Sequence, residues 1–196
     1  MLTREEIVQS LTGAFEIFLD RPNAMRHFNV SVTGFWRSFS AIALVAPIYA
    51  LSALAERQVA LTDALHAAQF DDGLFSLNKI LALGIDWITL PLLLALIAGR
   101  IGIAGTYPAF IIARNWGSVL ATIPFGIVGV LFVSGVIDAE AADILSLGML
   151  FIVLRYNYLI ARRALEVSIG FAVVLVVADF ALSMLIAGAV DGVIGH

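Results

Sequence analysis

An all-α polytopic membrane protein, a bundle of five transmembrane helices preceded by an amphipathic interfacial helix, is the fold this sequence predicts. Three observations predict it. Of the 196 residues 61% are hydrophobic and only 13% charged, with mean hydropathy +1.01, whereas a soluble domain is about half apolar and a quarter charged. The apolar residues gather in five runs, at about 35–54, 80–98, 117–137, 144–160 and 167–187. Such runs are long enough to cross a ~30 Å hydrocarbon core at 1.5 Å per residue. The basic residues, finally, fall almost wholly on one side of those runs. On this reading residues 1–34 are a cytoplasmic amphipathic helix and linker, 35–187 the transmembrane domain and 188–196 a short outer tail.

The N-terminal helix starts with Thr3 and Glu6, spaced as a capping box. Ile7, Leu11, Phe15 and Phe18 then recur every three to four residues, and Pro22 ends the pattern. Such a helix lies in the interface or caps the bundle. MLTREEIVQS has no basic stretch leading into an apolar run, so no cleaved signal is expected and the first span serves as insertion signal.

Trp36 and Arg37 anchor the near edge of the first span, and Pro47 is expected to kink it. Ala43, Ala46, Ala50 and Ala53 form a stripe of small residues suited to close helix packing. A mixed loop follows from Glu56 to Lys79; Val59, Leu61 and Leu65 keep helical spacing and Asp71-Asp72-Gly73 signals a turn. The second span carries Asp86 and Pro91 and exits at Gly99-Arg100, with Gly102 and Gly105 in the connection. Thr106 is the expected N-cap of the third element and Pro108 sits in its first turn. Within it Ser118, Thr122 and Gly126 make a second small-residue packing face. Asp138, Glu140 and Asp143 form the next loop. Arg155 and Asn157 lie near the end of the fourth span, and Asp179 lies inside the fifth.

With the N-terminus cytoplasmic, Arg4, Arg21, Arg26, Arg37, Arg100, Arg114, Arg162 and Arg163 fall inside and only Arg57 and Lys79 outside. The positive-inside bias thus predicts N-in and C-out, and Trp36, Trp116, Tyr156 and Tyr158 would form an aromatic belt at the inner boundary; the expected location is a cell's inner (plasma) membrane.

The chain resembles the Yip-type family of five-span membrane proteins. The likeness lies in the five spans, the cytoplasmic N-terminus and the segment from Gly99 through Tyr107, Phe110 and Trp116 to Pro124. The acidic–Leu–Tyr–Gly–Pro signature of eukaryotic members is absent; RPNAMRHFNVSVTGFW stands in its place, so no residue inherits a Rab-binding role. A small chain without cysteine, with ten Arg and one Lys, resembles bacterial members. The resemblance implies membrane organisation or trafficking more than catalysis.

Catalytic constellations are missing from the sequence. Without cysteine there is no thiol nucleophile or thiolate metal site. His27, His66 and His196 are isolated, no HExxH pair exists, and no Gly-Lys-Ser/Thr follows Gly102 and Gly105. Asp71, Asp72, Asp138, Glu140 and Asp143 read as a solvated acidic face rather than a cation site. No enzyme activity, cofactor, metal or nucleic acid is expected; the partners are the lipid bilayer and either a further copy or another membrane protein.

Ionisable residues inside the spans are the exception, because each costs at least ~2.5 kcal/mol at a bilayer centre. These are Asp86, Arg155 and Asp179, with Asn157 beside them. They serve either as an interhelical clasp, the favoured reading, or as a relay or counter-charge in a small permease or ion-coupled transporter. Helix depths place Asp86 and Asp179 at one level, facing the interior of one bundle together with Ser183 and Ala187. Arg155 lies about 10 Å nearer the cytoplasmic side, where it snorkels rather than pairing with both.

Overall fold

The computed structural model describes residues 2–62 and 70–194. Among them there is no strand. The elements are α1 (Arg4–Phe18), a 3-10 turn (Ala24–His27), α2 (Val32–Ser38), a 3-10 turn (Phe39–Ala41), α3 (Ile42–Thr62), α4 (Asp72–Ile97), α5 (Tyr107–Val133), α6 (Ala139–Leu165) and α7 (Ile169–Ile194). The run Val32–Thr62 and each of α4 to α7 is long and apolar enough to cross a membrane, giving five spans. The chain is an all-α polytopic bundle and an integral membrane protein.

The helices outrun their apolar segments at most ends because polar caps sit outside the apolar core. Asp71 accepts hydrogen bonds from the backbone N–H of Gly73 and Leu74, so the expected turn is instead the N-cap of α4. Asp138 does the same for α6 by accepting from Ala141. The Glu56–Lys79 loop shrinks accordingly: Val59 and Leu61 continue α3, and Leu65 lies outside the described residues, as do His66 and His196. Residues 188–194, expected as a tail, are the last turns of α7. Thr106 is not a side-chain cap for α5; its hydroxyl donates to the carbonyls of Ile103 and Leu165. Gly102 supplies the turn between α4 and α5 with φ +77°.

Central to the bundle is α5, which packs on α3, α6, α1 and α2. Its first half is buried all round, from Phe110 through Gly117 without a break, as a helix enclosed by neighbours requires. Small residues set the distances. A Cβ at Gly117 would stand 2.6 Å from Ile160 Cδ1, one at Gly126 2.7 Å from Ile48 Cγ2, and one at Gly129 2.7 Å from the Leu51 carbonyl. Gly126 is therefore a packing residue as expected. Ser118 and Thr122 play a different part, for their hydroxyls bond back to the carbonyls of Arg114 and Ser118 on their own helix. On α3 the alanine stripe faces the bundle only in part: Ala53 is buried and Ala46 half-buried, whereas Ala43 and Ala50 are exposed and Val45 is buried beside them. Pro47 sits on the exposed side.

The amphipathic helix α1 folds onto the end of the bundle rather than lying apart from it. Ala14 and Ile17 are completely buried against α5 and α6, and burying one such isoleucine is worth about 1.5–3 kcal/mol relative to water. Tyr156 donates its hydroxyl to the Ala14 carbonyl at 2.8 Å. Thr3 caps the helix by accepting from the Glu6 N–H, but the Glu6 carboxylate binds Arg37 at 2.9 Å instead of closing the box. After α1 the chain turns through Asp20 at φ +57°, where Arg163 grips both its carboxylate and its carbonyl. Consequently two members of the expected aromatic belt are core residues: Trp116 is 2% exposed and Tyr156 equally hidden, whereas Trp36 is 68% exposed.

Candidate functional site

Four helices place polar side chains at one level of the bundle. Arg114 lies about 10 Å along α5 from Tyr107, and Asp179 about 15 Å along α7 from Ile169, counting 1.5 Å per residue. Asn157 and Asp86 lie about 12 Å and 16 Å from the ends of α6 and α4 at that same edge. Arg114 donates to Asp179 Oδ1 at 3.2 Å, with side chains only 11% and 17% exposed. The Ser183 hydroxyl, one turn beyond Asp179 on α7, donates to Asp86 Oδ1 at 2.6 Å.

These groups line one cavity of about 370 Å³, whose wall also carries Tyr49, Ser52, Glu56, Trp87, Ser118 and Thr122. Farther from α1 the polar pairing continues. Glu56 of α3 holds Lys79 of α4 at 2.5 Å, and Asn78 of α4 donates to Asp191 of α7 at 2.7 Å. A second cavity of about 530 Å³ lies between α3, α5 and α6 and shares Ser52, Glu56 and Phe125 with the first. Two residues that line the first cavity each hold a polar atom that is buried away from it and has no hydrogen-bond partner among the described residues, Trp87 Nε1 and Ser52 Oγ.

Asp86 and Asp179, expected at one depth, line this cavity together with Ser183, and Asn157 lines it too. Ala187 is not; it is exposed, and Ile186 and Val190 continue the buried face of α7. Arg155 is exposed and stands apart from the cavity, pointing a guanidinium NH at the Phe18 carbonyl at the end of α1. The cation in the cavity is Arg114 instead, assigned from sequence to the cytoplasmic boundary. Its signal was present: Arg114, Ser118 and Thr122 recur every four residues, so the small-residue face begins with an arginine. Glu56 and Lys79 were hidden by their position at the edges of the apolar runs. Among the described residues no group of His, Asp and Glu is placed to hold a metal ion. His27 is engaged with Glu16 at 3.2 Å.

Fold and site together define a five-span α-helical membrane protein with a capped end and a charged, partly open interior. Comparison with family models, curated proteins and solved structures finds no match.

Proposed function

We propose that this is a non-enzymatic membrane protein of the Yip-like type, acting as scaffold, adaptor or membrane-organising component. In this reading it resides in a bacterial inner membrane with its N-terminus cytoplasmic and its C-terminus outside. One observation supports it above others: four carboxylates between the spans are each held by a side chain of a neighbouring helix. Asp179 is held by Arg114, Asp86 by Ser183, Glu56 by Lys79 and Asp191 by Asn78. Polar contacts across membrane helices average only about 0.6 kcal/mol, so such a set chiefly selects which helix packs on which. Purification in mild detergent is expected to recover a defined membrane partner or a homo-oligomer; a monodisperse monomer without partner would refute the scaffold. For orientation, a reporter after His196 is expected to read as periplasmic and one after Arg163 as cytoplasmic.

A permease or ion-coupled transporter is the second reading, favoured by the 370 Å³ cavity that exposes Asp86, Arg114 and Asp179 to a common space. Arg155, expected in that set, lies outside it. Reconstituted protein that moves neither protons nor small solutes across vesicles would exclude this reading.

A further inference from the structure

The two cavities between the helices share one wall. Along α5, Phe132, Gly129 and Phe125 line the 530 Å³ cavity, and Phe125, Thr122, Ser118 and Arg114 line the 370 Å³ one. These positions recur every three to four residues, so they form a single face of the helix, about 27 Å long at 1.5 Å per residue. On α3, Ser52 and Glu56 likewise face both spaces. The cavities therefore lie end to end along α5.

One end of this passage is open and the other closed. The wide cavity reaches Ala139 and Ala142, in the first turn of α6 just after its N-cap Asp138, so it comes within one turn of the end of that span. Toward α1 the space narrows instead. Beyond Arg114 and Asp179 only about 10 Å³ remains, among Phe110, Ile160 and Leu175, and a single water needs about 10–15 Å³. From that point on α5 is enclosed by its neighbours.

The wall decides what fills the passage. Arg114 and Asp179 keep part of their charged side chains exposed to it, and the hydroxyl side chains of Tyr49, Ser118, Thr122 and Ser183 line it around them. Asp179 meets Arg114 through Oδ1, which leaves Oδ2 without a protein donor among the described residues. Hydrocarbon satisfies none of these groups, and ionisable residues inside membranes face protein or water-filled space. A polar space of this size holds water.

We propose that the two cavities form one water-filled vestibule, entered from the side of the membrane away from α1 and ending at the Arg114–Asp179 pair. The proposal rests on the shape and polarity of the passage and on neither reading of function.

The chain has no cysteine, so single cysteines report access without background. Spheroplasts and inverted vesicles from a bacterium expressing the full chain are treated with a membrane-impermeant trimethylammonium methanethiosulfonate, which reacts with the hydrated thiolate. Val136→Cys, exposed between α5 and α6, and Arg21→Cys, exposed after α1, mark the two sides. Ser118→Cys and Ser183→Cys are expected to react in the preparation that labels Val136→Cys and not in the one that labels Arg21→Cys. Two controls bound the vestibule. Val177→Cys is exposed on α7 close to Asp179 but stands outside both cavities. In hydrocarbon it forms little thiolate, and it is expected to react at least about tenfold more slowly than Ser183→Cys. Ala161→Cys, buried beyond the pair, is expected to stay unlabelled from both sides. Silence of both Ser118→Cys and Ser183→Cys where Val136→Cys reacts would overturn the proposal. So would their labelling from the α1 side, labelling of Ala161→Cys, or equally fast reaction of Val177→Cys. Ser183 holds Asp86; should its variant fail to reach the membrane, Ser118→Cys decides, because the Ser118 hydroxyl bonds within its own helix.

Discussion

The two ends of this bundle are built on different principles. At the α1 end, side chains from α1, α2, α5 and α6 close over one another: Ala14, Ile17, Ile111, Ala113, Trp116 and Tyr156 are all essentially inaccessible. Toward the other end α5 keeps buried only what Gly126, Val128 and Gly129 press against α3, and two cavities open. There α4 and α7 lean on each other and on polar pairs rather than on a core. The lesson is one of solvent. The α1 end contains the amphipathic segment, whose Ser10, Gly13, Ala14 and Ile17 are buried against the bundle, and removing apolar surface from water there drives close packing. Deeper in the membrane, lipid is as apolar as leucine, and only small residues and polar contacts distinguish one neighbour from another.

Four tests sharpen or break this contrast. The largest effect is expected at the polar level. Asp179→Asn leaves Arg114 buried without its carboxylate and is expected to cost about 3–5 kcal/mol in unfolding from mixed micelles. Adding Arg114→Met should restore most of that loss; failure to do so would mean the pair is not the unit. At the capped end Gly34→Ala puts a Cβ 1.9 Å from the Asn29 carbonyl, and about 1–3 kcal/mol of overpacking is expected. Tyr156→Phe deletes the bond to Ala14 and is expected to cost about 1 kcal/mol. Its selective readout is faster protease cleavage around Leu19 to Asn23, because α1 loosens before the bundle does. Smallest is the pair Ala43→Leu with Ala50→Leu, both on the exposed side of α3, with an expected change within about 0.5 kcal/mol. A large loss there would reinstate the alanine stripe as a packing face.

Much of this architecture is readable from residue patterns, and the limits of that reading have physical causes. Five apolar runs give five spans because hydrocarbon thickness dictates their length. Asp86 and Asp179 could be placed at one level because helix rise converts sequence position into depth. Rotation about the helix axis is harder to read. Ala43, Ala46 and Ala50 have the spacing of a packing stripe, yet the glycines of α5 decide which side of α3 they meet, and that side carries Ile48 and Ser52. Arg114 was misplaced for a related reason: an arginine near a span end ordinarily snorkels, and only the arrival of Asp179 from α7 holds it inside. Trp116 and Tyr156 look interfacial by depth, but α1 covers them. Each error concerns what a distant segment does to a local position.

The Arg114–Asp179 pair bridges 65 residues of chain, and this has a bearing on biosynthesis. A ribosome adding about 5–20 residues per second needs roughly 3–13 s to produce Asp179 after Arg114. For that interval α5 carries a cation about 10 Å from its first residue with its counter-ion still unmade, and such an arginine snorkels toward the near interface. Nascent α5 is therefore expected to sit shallower until α7 supplies Asp179. The arrival of α7 licenses the depth of the central helix, so a chain truncated before Ile169 should leave α5 displaced toward the membrane surface and exposed to quality-control proteolysis.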